Sequence, residues 1–192
     1  TLYSTSLIQY KYYFCSNYII QMFTFFNQYH FPLIIIHGGA SPIDPKGNAL
    51  KSAISSIEQM ASLCMNELRS GKSAIKTVVQ CLQMLENDAQ FNAGIGSALQ
   101  SDGIPRLTSS IMDGNKQNLS GVISVPYVSN PSKLAEKLQN RNAKVLASPG
   151  AELLAREMKL PVASNLTEDR SKKWLYNLHK DNYHSAVEHD TV

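Results

Sequence analysis

Two amphipathic stripes in tandem constrain the fold of this chain more than any other feature. Leu50, Ala53, Ile54, Ile57, Met60, Ala61, Cys64 and Leu68 recur at helical spacing through Asn48–Arg69, a pattern that buries one face of an α-helix and scatters on a strand. Ser70-Gly71 stops that helix, because glycine takes the left-handed turn that ends it. Ser73 then caps a second helix whose stripe is Ala74, Val78, Cys81, Leu82 and Leu85. A helix pair of this length needs an apolar layer to cover. The short runs on either side supply one. Leu33–Ile36 is continuously apolar and reads as a strand buried on both faces. Leu107–Met112, Gly121–Val125 and Val145–Ala147 read as further strands. Asn130-Pro131 opens a helix that runs to Leu138, and Gly150–Leu160 and Thr167–Leu178 read as two more. Asn87–Gly103 holds three glycines and no period, so it is a long loop. The predicted class is α/β or α+β, with a helix-covered sheet.

The first 31 residues do not share this pattern. They hold 11 of the 16 aromatic residues, a single charged residue, Lys11, and none of the ten glycines. The window Ile19–Ile36 contains Gln21, Asn27, Gln28, His30 and Pro32, too many polar breaks for a membrane span. Cys15-Ser16-Asn17 is a poor signal-cleavage site and no basic front precedes it. Residues 1–31 therefore read as an extension to the folded unit, upstream or disordered sequence, with 32–178 as the folded portion and 179–192 as a polar linker. A net charge of +3 without a basic run argues against nucleic acid, and no membrane partner is expected. The 43% apolar content excludes a disordered chain. Three cysteines make an unlikely disulfide framework, and Cys64 and Cys81 on apolar helix faces read as small buried hydrophobes. That suits a reducing compartment, and the cytoplasm is the expected one.

Several motifs dissolve on inspection. Gly71-Lys72-Ser73 ends like a phosphate-binding loop, but Asn66 stands where that loop needs its first glycine, and a helix precedes it where a strand is required. His179, His184 and His189 are five apart, which spreads them around a helix axis and away from any common metal. Asn118-Leu119-Ser120 and Asn165-Leu166-Thr167 match the glycosylation triplet, a pattern short enough to arise by chance. Two Gly-rich segments remain: His37-Gly38-Gly39-Ala40 and Phe91-Asn92-Ala93-Gly94-Ile95-Gly96. Such glycines either make tight turns or let backbone approach a site.

Taken in order, these two segments with the helix pair between them, then Ile111-Met112-Asp113-Gly114 and a final His189-Asp190-Thr191-Val192, resemble the plant-type asparaginases and isoaspartyl peptidases. That family sits with glycosylasparaginase and taspase among the N-terminal nucleophile hydrolases. The resemblance covers residues from about Leu33 to Val192. It implies an αββα sandwich, to which this chain contributes the α portion, incomplete without the β portion. It implies that Asp190–Thr191 is a self-cleavage bond and that Thr191 is the nucleophile of an amidohydrolase acting on L-asparagine or a β-aspartyl peptide. Asn92 matches a residue that supports the cleavage region. His37, Gly38 and Gly39 match a flexible loop that relaxes strain around the scissile bond. The backbone carbonyls of Leu85, Glu86, Asp88, Phe91, Ala93 and Ile95 match the family's structural sodium site, carbonyl oxygens being suited to a hard cation. No cofactor is implied for the chemistry. The complete protein is expected as an (αβ)2 assembly.

The chain departs from the family pattern where Leu107-Thr108 replaces an acid ahead of Ser109-Ser110. Asp190 before Thr191 occurs in glycosylasparaginase-like and taspase-like members, so substrate choice stays open. Oxyanion donors and the groups that grip the substrate belong to the β portion, so this chain alone is expected to be inactive. A truncated, non-catalytic remnant and a small-ligand binding module using the Gly loops are the alternative readings.

Overall fold

A computed structural model of the chain describes residues 32–39 and 48–180. The readings for residues 1–31, Ala40, Asp190 and Thr191 lie outside the described residues, as does most of the 179–192 linker. The helix pair forms as its stripes require, α1 over Asn48–Arg69 and α2 over Ala74–Glu86. Then follow a short 3-10 turn at Gly94–Gly96, β1 (Leu107–Asp113), β2 (Asn118–Val125), α3 (Pro131–Leu138), β3 (Val145–Ala147), α4 (Gly150–Glu157) and α5 (Glu168–His179).

The strands form one sheet in the order β1-β2-β3, with β2 antiparallel to β1 and parallel to β3. Because side chains alternate along a strand, the register divides the sheet into two faces. One carries Ile111, Val122 and Leu146 and is covered by α3 and α4. There Val122, Val125, Val128, Leu134, Leu138, Ala151, Leu154 and Ala155 make the main core. The other face carries Met112 opposite Leu119, together with Ile123 and Val145, each about half exposed. Leu134 is fully buried at the centre of the covered face. Leu134→Ala is expected to cost about 2–5 kcal/mol in chemical denaturation, from the lost transfer energy and the cavity left behind.

Three expectations need correction. Leu33–Ile36 is not a strand: it pairs with no strand among the described residues, and Leu33 and Ile35 are 71% and 75% exposed. Only its alternate side chains turn inward, and Ile36 packs against the cluster of Met60, Leu85 and Phe91. Within α2 the core residue is Val79, while Val78 is 43% exposed. Helix α4 ends at Glu157, short of Leu160, because Lys159 adopts a left-handed backbone conformation (φ 54°) that ends a helix.

The two cysteines behave as the sequence indicates. Both are buried and free on the packed faces of α1 and α2. Burial, and then the neighbouring Cys64, push the Cys81 thiol up to about 12, so it stays protonated and unreactive near neutrality.

Candidate functional site

The loop after α2 is where the two Gly-rich segments meet. Helix α2 ends at Glu86, and the chain turns back sharply: the Asp88 carbonyl accepts from the Phe91 amide at 3.1 Å, and the Ala93 carbonyl from the Gly96 amide at 3.0 Å. Phe91 is buried with Met60 and Leu85. Gly38 lies against it so closely that an added Cβ would come within 2.8 Å of both the Phe91 ring and the Ile57 methyl. The His37–Gly39 segment therefore touches the loop at Phe91, and His37 Nδ1 accepts from the Gly39 amide at 3.3 Å.

One residue further on, Asn92 closes the loop on itself: its side-chain oxygen accepts from the Ala98 amide at 2.8 Å. Asn92, Ala93, Gly94 and Ser97 form one wall of a cavity of about 150 Å³. The end of α2, at Leu82, Leu85 and Glu86, forms a second wall, and Arg106 through Ser110 at the start of β1 form a third. The Arg106 guanidinium donates to both Asp102 oxygens, at 3.0 and 2.7 Å, and this pairing draws the Asp102 carboxyl below the usual carboxylate range. Thr108, at the position where the resemblance has an acid, accepts from the Ser124 amide at 3.2 Å through its hydroxyl.

Glu86 is the residue whose side chain sequence reasoning missed. It is 5% exposed. One oxygen accepts from the Ser132 amide at 3.0 Å; the other accepts from the Ser132 hydroxyl at 2.8 Å and from the Asn130 amide group at 3.0 Å. The first turn of α3 is thus capped from another helix. The Asn130 side chain makes no bond to the helix it precedes, and donates instead to Glu86 and to Asn87. Burial pushes the Glu86 carboxyl above its ordinary range, against the opposing pull of these hydrogen bonds. A signal existed: Glu86 follows Leu82 by four residues, placing a carboxylate on the apolar stripe.

The six carbonyls proposed for a cation, from Leu85 to Ile95, all belong to this turn. Those of Leu85, Asp88 and Ala93 each accept one main-chain hydrogen bond, which leaves a second lone pair on each oxygen. Both glycosylation triplets serve the interior instead: Asn165 is buried and donates to the Val128 carbonyl, and Asn118 donates to Gln139. Among the described residues no cluster of three His, Cys, Asp or Glu could hold a metal, and no helix is long and apolar enough to cross a membrane.

Residues 30–192 match the sequence profile of the asparaginase family. The chain belongs to that family. It is 45% identical over 144 residues to an isoaspartyl peptidase/L-asparaginase of Synechocystis, an alignment covering 75% of this chain and 44% of the relative. It is 38% identical over 147 residues to an isoaspartyl peptidase/L-asparaginase of Rattus norvegicus, covering 74% and 44%. It is 34% identical over 142 residues to a plant-type L-asparaginase of Pyrococcus horikoshii, covering 73% and 46%. This asparaginase-family chain therefore spans less than half the length of each of these relatives. The mixed helix and sheet architecture is compatible with part of a sandwich.

Proposed function

We propose that this chain is the α portion of an amidohydrolase that cuts its own Asp190–Thr191 bond. It then hydrolyses the side-chain amide of L-asparagine or a β-aspartyl peptide. The observation that carries the reading is the meeting of the two Gly-rich segments, with Gly38 seated on Phe91 directly before Asn92, in a chain whose relatives bear those activities in their names.

In self-cleavage the Thr191 hydroxyl oxygen attacks the Asp190 carbonyl carbon. The Asp190–Thr191 C–N bond breaks and the acyl group moves from nitrogen to oxygen. Water then hydrolyses the ester, releasing the Asp190 carboxylate and the Thr191 α-amine. An α-amine titrates at about 7.7–8.0, so near neutrality it accepts the proton of its own hydroxyl. The freed nucleophile attacks the substrate's side-chain carbonyl and expels ammonia, or the amine of a β-aspartyl peptide. The acyl-threonine ester is then hydrolysed by water. Asn92 supports this region from the cavity wall, and the His37–Gly39 segment relaxes around the scissile bond.

The turn from Leu85 to Ile95 is the place for a structural sodium ion. Gly94 and Gly96 bring the Glu86 and Phe91 carbonyls against the loop at distances no Cβ allows, and such a cradle of neutral oxygens fits a hard monovalent cation. The half-exposed face of Met112, Leu119, Ile123 and Val145 is where the second sheet of the αββα sandwich stacks. The complete protein assembles as (αβ)2 and works in the cytoplasm.

Intact-mass analysis tests the reading, using the precursor expressed with the residues that follow Val192 in its reading frame. Two chains are expected, their masses summing to the precursor plus one water, the second beginning at Thr191, with ammonia released from L-asparagine. A precursor that stays uncut and releases no ammonia would sink it.

A further inference from the structure

We propose that the Glu86 carboxylate is a positioning residue for Asn92: it fixes the spacing between the first turn of α3 and the Asn92 loop across the cavity. Its bearing on catalysis rests on the amidohydrolase reading above, whereas the spacing itself does not.

A single residue faces both elements. On the side-chain side, both Glu86 oxygens are taken up by Ser132 and Asn130 at the start of α3, and Asn130 also reaches the Asn87 side chain at 3.1 Å. On the main-chain side, Glu86 lies against Gly94, where an added Cβ would sit 2.0 Å from the Glu86 carbonyl oxygen and 2.7 Å from its Cα. Gly94 is two residues beyond Asn92. Pro131, Glu86, Asn92 and Gly94 all line the same cavity. A displacement of α3 relative to α2 is thereby carried into the loop, since packed interiors do not stretch to absorb it.

Capping alone does not account for this arrangement. A helix start is served by one oxygen on one amide, and a Ser or Asp next to α3 would supply it. Here a buried carboxylate comes from a helix 46 residues away in sequence. No Lys or Arg forms an ion pair with it among the described residues. Three donors converge on its two oxygens, so the charge is stabilised by hydrogen bonds, by the α3 dipole and, more weakly, by the charge of Lys133. An amide in its place offers one acceptor oxygen, and its NH2 group opposes at least one of these donors.

Glu86→Gln is therefore the decisive variant, and the double variant Glu86→Gln/Asn130→Asp returns one carboxylate to the network with the donor and acceptor exchanged. Amide hydrogen exchange in the 192-residue chain reads two positions: Ser132, bonded to Glu86 directly, and Ala98, whose N–H is held by Asn92. Glu86→Gln is expected to speed exchange at both by about tenfold or more, and the double variant to bring Ala98 back within about threefold of the parent. Should Glu86→Gln fail to fold, Ser132→Ala removes one donor only and is expected to speed exchange at Ala98 by about threefold. Faster exchange at Ser132 with Ala98 unchanged would reduce Glu86 to a helix cap and overturn the proposal. Self-cleavage of the precursor is read in parallel, with Glu86→Gln slowing it and the double variant restoring it. If the parent precursor does not cleave, the amidohydrolase reading fails while the Ala98 result still decides the positioning.

Discussion

Gly94→Ala is expected to dismantle the Asn92 loop and to cost about 3 kcal/mol or more, while Gly71→Ala, at a second left-handed glycine, costs only about 1–2 kcal/mol. The two positions separate two effects that usually travel together. Both have positive φ, 50° at Gly94 and 90° at Gly71, so a side chain at either one meets the left-handed penalty. They differ in their surroundings. An Ala Cβ at Gly71 has nothing within 4 Å, whereas at Gly94 it stands 2.0 Å from the Glu86 carbonyl oxygen. That oxygen belongs to the last residue of α2, whose side chain is tied to α3, so neither partner can step aside without breaking the Ser132 bonds. The loop must open, and with it the Asn92–Ala98 hydrogen bond. Thermal melts would show the difference as a drop of about 10 °C or more for Gly94→Ala against a few degrees for Gly71→Ala. Equal drops would mean that backbone strain alone explains Gly94, and that the close approach to Glu86 carries no energy.

Local chemistry made much of this fold legible. Helix α1 runs over the segment its stripe marks, and α2 begins directly after Ser73, because Ser70-Gly71 and Ser73 punctuate the sequence as well as the structure. Asn130-Pro131 marks the start of α3 for the same reason, proline at a first helical position losing no hydrogen bond. Errors fall where the answer depends on distant partners. A continuous apolar run such as Leu33–Ile36 says that burial is favourable, but a strand also needs a neighbour to take its backbone hydrogen bonds. Strand β2 begins at Asn118, three residues before Gly121, because the short turn after Asp113 lets the hairpin zip from its tip. Ser120 can enter the interior there since its hydroxyl donates to the Ala135 carbonyl at 2.6 Å, a pairing no local pattern announces. Glu86 is the sharpest case. A glutamate at a helix end reads as a solvated charge, and only the arrival of Ser132 and Asn130 from elsewhere makes its burial tolerable. For the site, the resemblance picked out the Asn92 loop and the His37–Gly39 segment as candidates, and the structure shows only that they touch, at Gly38 and Phe91. Asp190 and Thr191 rest on sequence alone.

Thr191 carries the heaviest expectation. In the precursor proposed above, Thr191→Ala should abolish self-cleavage and lower ammonia release from L-asparagine by on the order of 10⁴-fold or more, the scale seen when a covalent nucleophile is removed. Both losses follow from one atom. The side-chain oxygen that would receive the Asp190 acyl group is the same oxygen that would later attack the substrate, so alanine removes the acceptor for the first step and the nucleophile for the second. Thr191→Ser separates oxygen from methyl: it keeps the hydroxyl, and both reactions should survive at reduced rate because serine, lacking the γ-methyl, holds its oxygen in a less restricted rotamer. Folding supplies the control: the melting temperature of the uncut Thr191→Ala precursor should match that of an uncut parent trapped early. Cleavage that persists in Thr191→Ala would place the nucleophile elsewhere, and the first residues to test would then be Thr108, Ser109 and Ser110 on the cavity wall. Loss of cleavage with asparagine hydrolysis intact would instead separate the two reactions and show that the Thr191 hydroxyl is not the nucleophile that attacks the substrate.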